Sequence, residues 1–522
     1  MSTTPPPHGK WLLPLTTSAC SAGFLLFGYD QGVLSGIILS PSFLATMGYP
    51  SPLILGTLTA LYDLGAVLGA LLAALCSDDL GRKKTLLFGA ALVGIAGLAM
   101  ALSQDRIQFG IGRVVVGIGI GLVCSVCPVY QAEISRGKQR GWMVCCQLTT
   151  MLVGLAGAYW VNYGFYFAPG QKQWRVPLGL QVVFAGYILG LGAWLEETPR
   201  WLLRRFPDSL EKGREVLQRL RGEEEDVEEE LGGIVEAIAR ESKAEGGWRD
   251  LVRDDGLKTD KRFYLAVGIQ FMQQMTGINI VTYYAPTLYK TGLGMSEEKA
   301  LLLGGFTQMW YVLASFVTWY TIDRVGRRKL LVSMAFGMGA VLIGEGLATA
   351  ADSHLGAIMA VVCLFLLEGC FTWGWMACVW IYPPEILPLS IRAKGSALAA
   401  AADFIGNWIV VEVTPVGIST MGWTFYLVWA GFNLVNGIVV WLFYPETGGL
   451  ALEAVDLVFT GQTGGVTGED SDAWFGRLQW DRVRAADEAV RATRLGDGER
   501  QPLLPSSSAV SDETWMSCQD TR

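Results

Sequence analysis

Asp30 lies in FLLFGYDQGVLSG, inside an apolar run, where a carboxylate at a bilayer-spanning helix centre costs about 2.5–3.5 kcal/mol on insertion scales. A residue that costly needs a reason, and Arg113, in the apolar segment GRVVVGIGIG, is its natural partner. An adjacent cation favours the ionised aspartate, while burial and loss of that contact favour the protonated one. A carboxyl in such a pair can couple proton movement to a conformational change; a static structural ion pair is the alternative. A second set is polar and neutral. In IQFMQQMTGINIVTYY, Gln270, Gln273, Gln274 and Asn279 combine i+3, i+4 and longer spacings that bring amides toward one side of a helix, and Gly277 allows a local break. Such groups suit a hydroxyl-rich solute, because a buried polar group left unpaired costs roughly 1–3 kcal/mol. Helix–helix packing is the other use of amides in a transmembrane segment. No nucleophile–base set, cofactor loop or plausible metal site accompanies them. The only histidines are His8 and His354, and the Cys124–Cys127 pair sits in an apolar segment before Pro128, where packing explains it.

The elements that position these residues follow from composition. The chain has 522 residues, 51% hydrophobic and 17% charged, against about 25% charged in soluble proteins. Of its 88 charged residues, 52 fall in residues 200–262 and 445–522. The net charge is −8, and its acidic excess is concentrated in those two stretches, so no basic surface suggests nucleic acid as a partner. The rest is apolar runs near the length of about 20 residues that crosses a bilayer as helix. The pattern predicts an all-α membrane protein with helices near 16–38, 53–75, 84–103, 110–130, 142–163 and 176–195, then 263–289, 301–321, 330–350, 356–381, 392–413 and 423–444. The even loops collect Arg82, Lys83, Lys84, Arg136, Lys138, Arg140, Arg324, Arg327, Arg328, Lys329, Arg392 and Lys394, which places them, both termini and the middle loop in the cytoplasm. The expected divisions are a cytoplasmic N-terminus (1–15) without signal-peptide character, a six-helix bundle (16–199), a linker of amphipathic helices (200–262), a second bundle (263–444) and a largely disordered tail (445–522).

An internal repeat ties the two bundles together. DDLGRKK at 78–84 recurs as DRVGRRK at 323–329; PVYQAEISRGKQRG at 128–141 recurs loosely as YPPEILPLSIRAKG at 382–395; and Glu197-Thr198 recurs as Glu446-Thr447. Three motifs at nearly one offset define two related halves. Each half places acidic and basic groups at the cytoplasmic ends of its helices: Asp78, Arg82, Glu133, Arg140, Glu197 and Arg200, then Asp323, Arg327, Glu385, Arg392 and Glu446. An ion-pair network formed only when the halves close on that side would act as a conformational latch. Topology alone accounts for the basic members and not for the acidic ones.

These motifs, together with ETPRWL, QQMTGIN followed by YYAP, and PETGG, resemble the sugar porter family of the major facilitator superfamily from about Gly23 to Phe459, with the nearest likeness to fungal proton-linked sugar and polyol carriers. The resemblance implies twelve helices, alternating access and a central site between the two bundles, near the bilayer midplane. It assigns sugar contact to Gln147, Gln270, Gln273, Gln274, Asn279 and Trp380, an outer gate to Tyr283 and Tyr284, and proton coupling to Asp30 and Arg113. Four positions depart from the family pattern: Met376-Ala377 for Gly-Pro, Asp403-Phe404 for Asn-Trp, Trp310-Tyr311 where an asparagine contact is usual, and Asp79 for an arginine. An aspartate at 403 facing the site favours a hydroxyl-rich or cationic ligand over a sugar acid, and Asn407 remains as an amide on the same helix.

The expected function is proton-coupled symport of a monosaccharide, without a cofactor, with a sugar or polyol, protons and the lipid bilayer as partners. A polyol or glycerol symporter, a passive facilitator and a non-transporting sensor are the alternatives. The expected location is the plasma membrane; Glu499 with Leu503-Leu504 resembles an acidic dileucine signal and makes an endosomal or vacuolar membrane the alternative.

Overall fold

The computed structural model describes residues 11–135, 140–206, 210–222, 227–244, 246–254, 256–351, 353–448, 455 and 458–459. The expected disorder and dileucine signal of the tail, the start of the acidic run at 223–226, Arg136 and Lys138, and the side chains of Arg140 and Asp323 lie outside what is described.

The twelve-helix architecture has a first half of α1 (Leu12–Ile37), α2 (Pro52–Leu80), α3 (Arg82–Ala101), α4 (Arg106–Ile134), α5 (Arg140–Tyr166) and α6 (Lys172–Leu191). The second half has α7 in two pieces (Thr259–Gln274 and Ile278–Thr287), α8 (Glu297–Val325), α9 (Arg327–Ala350), α10 (His354–Ile386), α11 (Arg392–Met421) and α12 (Thr424–Phe443). Sequence sets several ends directly. Pro52 opens α2 behind Ser51, whose hydroxyl accepts from Ile54 N. Asp105 caps α4 by accepting from Ile107 N at 2.8 Å and Gln108 N at 2.9 Å. Lipid-facing positions such as Leu68, Leu72, Ile95, Ile111, Phe316 and Trp441 stay exposed, as an apolar solvent requires.

Inside each half, glycine lets helices approach backbone to backbone. Gly65 and Gly69 of α2 face Gly117 and Gly121 of α4 so closely that a Cβ on Gly117 would overlap the carbonyl of Tyr62. The glycine-rich segment after Arg113 is thus a packing surface, which fixes where Arg113 points. Between the halves, α2 packs along α11 and α5 along α8, two seams related by the repeat, and α1 packs on the second piece of α7.

The linker is helical: Pro199–Arg205, Leu210–Arg221 and Glu228–Ala244, then a short 3-10 turn, Trp248–Val252. Its apolar stripe buries Leu203, Leu217, Val227 and Leu231 in a small core of its own. One end is tied to the first half through Arg219–Glu196 at 2.5 Å and Arg221 Nη1 donating to Ile134 O at 2.9 Å. The other end is tied to the second half, where Gly246 N donates to Ser390 O at 2.9 Å and Lys394 Nζ to Gly246 O at 2.7 Å.

Candidate functional site

The buried pair anticipated from sequence is present. Asp30 and Arg113 are both fully buried, with Arg113 Nη1 3.0 Å from Asp30 Oδ2. Arg113 Nη2 donates to Thr59 O on α2 at 3.0 Å, and its Cζ lies 4.8 Å from the Tyr62 ring centroid. The other oxygen of Asp30 accepts from Gln181 Nε2 of α6 at 2.7 Å. One carboxylate therefore joins α1, α4 and α6, and its cation reaches α2. A buried ion pair persists only when both ends are hydrogen-bonded in this way.

On the facing half, α7 breaks where expected. Gln274 ends its first piece, Gly277 takes φ +81°, and Ile278 begins the second. The break turns the amides toward α10 and α11. Gln270 Nε2 donates to Val379 O at 3.3 Å and Gln273 Nε2 to Trp375 O at 3.2 Å; the carbonyl oxygens of both glutamines are buried without a partner. Gln274 Nε2 donates to Asp403 Oδ1 at 2.5 Å, and Asn279 Nδ2 donates to Gln274 Oε1. Asp403 and Phe404 are buried on α11, and Phe404 meets Phe27 of α1 edge-on across the halves at 6.3 Å. Gln147 on α5 is buried with an unpaired Nε2. These unsatisfied amides are what a hydroxyl-bearing solute could complete.

Trp380 is half-buried; the fully enclosed indole in this stretch is Trp375, whose Nε1 donates to Leu331 O at 2.9 Å. Where Met376-Ala377 departs from the family pattern, α10 passes through a π-helical turn, Thr372–Met376, and continues to Ile386. The wider turn gives the helix local irregularity without Gly-Pro. Tyr283 and Tyr284 lie on the second piece of α7. Both are buried, and Tyr284 OH donates to Val411 O at 3.1 Å.

Sequence reasoning missed Asp63 of α2, fully buried and accepting from Asn407 Nδ2 of α11 at 2.8 Å, with Asn407 also 3.2 Å from Tyr283 OH. The signal that singled out Asp30, a carboxylate in an apolar run, was available at Asp63 too. It was equally available at Glu368 on α10, buried and bonded to Gln308 Nε2 at 3.0 Å.

The charged motifs form two clusters of one design, each within a half. Arg82 N donates to Glu197 at 2.8 Å, Arg82 Nη2 to Glu133 at 3.1 Å, and Thr198 Oγ1 to Glu133 at 2.5 Å. Arg327 N donates to Glu446 at 2.7 Å, Arg327 Nη2 to Glu385 at 3.2 Å, and Thr447 Oγ1 to Glu385 at 2.6 Å. Gly81 and Gly326 precede the arginines at φ +94° and +95°, and a Cβ on either would strike the glutamate. The latch was expected to bridge the halves; in this conformation these bonds instead lock each half's own helix ends together. Asp78 pairs with Arg82 at 2.8 Å, also within its half. Arg200 pairs with Glu241 of the linker rather than with the cluster, and Arg392 Nε donates to Leu387 O at 3.1 Å. Asp79, which departs from the usual arginine, meets Arg205 of the linker at 3.0 Å.

Two bundles of one design, joined by a linker and facing each other across buried polar chains, form the architecture of a membrane carrier. The sequence model of the family described as Sugar (and other) transporter matches residues 15–459, and the chain belongs to that family. It is 35% identical to the MFS-type transporter oryC of Aspergillus oryzae, over 89% of this chain and 88% of that protein. It is 31% identical to the sugar transporter STL1 of Saccharomyces cerevisiae, over 86% and 82%. Among solved structures, the proton:xylose symporter XylE bound to 6-bromo-6-deoxy-D-glucose superposes with a TM-score of 0.73 at 25% identity, covering 87% of this chain and all of that one.

Proposed function

We propose that the protein is a secondary active carrier that couples inward proton movement to uptake of a monosaccharide by alternating access. The observation that carries this reading is the fully buried Asp30–Arg113–Gln181 set, joined through Arg113 to α2 and thus to the seam with the second half. Protonation of Asp30 removes the charge that holds Arg113. The guanidinium is then left to Thr59 O and the Tyr62 face, which frees α1 and α4 to shift relative to one another. Sugar hydroxyls would take up Gln147 Nε2 and the free carbonyl oxygens of Gln270 and Gln273. Asp403 accepts hydroxyl donors and disfavours an acidic ligand. Because Asp403 serves any hydroxyl-rich molecule, a polyol is the second reading. The charge of the loops supports both termini in the cytoplasm; the reading takes the plasma membrane as the site of action, with residues 16–199 and 263–444 as the two moving bundles.

The test is uptake of labelled hexoses, pentoses, glycerol and other polyols in transporter-deficient cells, with and without a protonophore, for wild type and Asp30→Asn. The expected result is accumulation of one substrate class by wild type, reduced to equilibration by protonophore and by Asp30→Asn. Equilibrative uptake unaffected by either treatment would make the protein a facilitator; no uptake of any substrate would favour a sensor.

A further inference from the structure

Asp30 is not the only carboxyl facing Arg113. Asp63 is completely buried on α2, one helical turn beyond Thr59, whose carbonyl holds Arg113 Nη2. Its charged or titratable neighbours are Arg113, Asp30, Asp403, Tyr62, Tyr283 and Tyr284. Among the described residues, Arg113 is the one cation in that set, and its ion pair is with Asp30. Asp30 and Asp63 thus share a single guanidinium, with Asp403 as a further carboxyl beside Asp63, and full ionisation would leave the interior with an uncompensated excess of negative charge.

Asp30 and Asp63 differ in what holds them. Every hydrogen-bond partner of Asp30 described above lies in its own half. Asp63 Oδ1 accepts from Asn407 of the opposite half at 2.8 Å, while Oδ2 is buried with no partner. The Asp63–Asn407–Tyr283 chain lies just inside the contacts that join the halves on the side opposite the linker: Thr57 Oγ1 to Glu412 at 2.6 Å and Tyr159 OH to Thr282 O at 2.7 Å. When α2 and α11 separate there, Asp63 loses Asn407 and meets water. When they close, it is enclosed without a cation of its own.

We propose that Asp63 is a second proton-exchanging carboxyl of the transport cycle, loaded as the halves close on the side opposite the linker and gating that closure through Asn407. This inference rests on the symport reading above. Closure then requires a proton on Asp63 independently of the proton on Asp30, and external acid promotes uptake partly through this residue.

The experiment reconstitutes wild type, Asp63→Asn and Asp63→Glu in proteoliposomes, using the substrate found in the uptake panel. Substrate-driven proton movement, protons per substrate and the external-pH profile of uptake are recorded. Asp63→Asn is expected to keep substrate uptake, to lose its acid-stimulated part and to move fewer protons per substrate; Asp63→Glu is expected to restore acid stimulation with a displaced midpoint. Wild-type protons per substrate and pH profile in Asp63→Asn overturn the proposal and leave the symport reading standing. A changed KM with an unchanged pH profile also overturns it, making Asp63 a substrate ligand. No proton movement in wild type overturns the symport reading and this one together. If Asp63→Asn does not fold, a pH profile of Asp63→Glu superposable on wild type overturns the proposal by itself.

Discussion

Arg113 is bound from three directions, by Asp30, by Thr59 O and by the Tyr62 ring, all in a site without water access. Truncating it leaves Asp30 enclosed and unpaired, so Arg113→Ala should cost about 3–5 kcal/mol of stability. The double variant Asp30→Asn with Arg113→Gln removes both charges and should recover much of that loss. Thermal unfolding of the detergent-solubilised variants checks this, and additive losses would mean the two residues do not interact. The pair was legible because a charge in an apolar run is conspicuous wherever it falls. Gln181 was not, because a lone amide in PLGLQVVFAG acquires meaning only when α6 is laid against α1, 151 residues away in sequence. Asp63 carried the same signal as Asp30. It was passed over because its partners, Asn407 and Tyr283, come from the opposite half, and only the assembled molecule brings them to α2.

The helices depend on close approach more than on hydropathy. Gly117→Val drives a branched side chain into the Tyr62 carbonyl of α2 and should cost at least the 1–3 kcal/mol typical of overpacking. The loss should appear as reduced yield of monodisperse protein, whereas Gly157→Ala, with open space around it, should be silent. Gly277 tests a different constraint. An alanine there must hold φ near +81° beside Trp429, at a cost of about 1–2 kcal/mol, and the misdirected second piece of α7 should weaken substrate binding measured at equilibrium. All twelve helices were foreseen from apolar runs, and the break in α7 from Gly277. Their ends were less legible: α2 runs to Leu80, α10 to Ile386 and α11 to Met421, each past its expected limit. Hydropathy reports the thickness of the hydrocarbon layer, but helices continue beyond it wherever charged residues such as Asp78 and Glu385 can still pair. Pro383, Pro384 and Pro415 mislead in the same direction, since each is accommodated inside a helix.

The repeat gives the molecule two stiff halves and a hinge-like arrangement between them. Each charged cluster fastens its own helix ends, while the linker is anchored to the first half at Glu196 and Ile134 and to the second at Ser390. Rigid-body rocking about the α2–α11 and α5–α8 seams is therefore the motion the structure favours, and opening must first break the contacts opposite the linker. Gly56 of α2 is the tightest of these, since a Cβ there would lie 2.6 Å from the carbonyl oxygen of Glu412. Gly56→Trp should act as a wedge. It cannot let the halves close on that side, yet it touches none of the amides of α7 or the Asp30 pair. Uptake should fall to background while ligand binding to the solubilised protein persists, and a cysteine placed at Asn407 should become reactive to an impermeant maleimide. Wild-type uptake by Gly56→Trp would show that closure at Gly56 is not a step of the cycle. The interhalf bonds of Asp63, Thr57 and Tyr159 would then be features of one resting conformation and not of a gate.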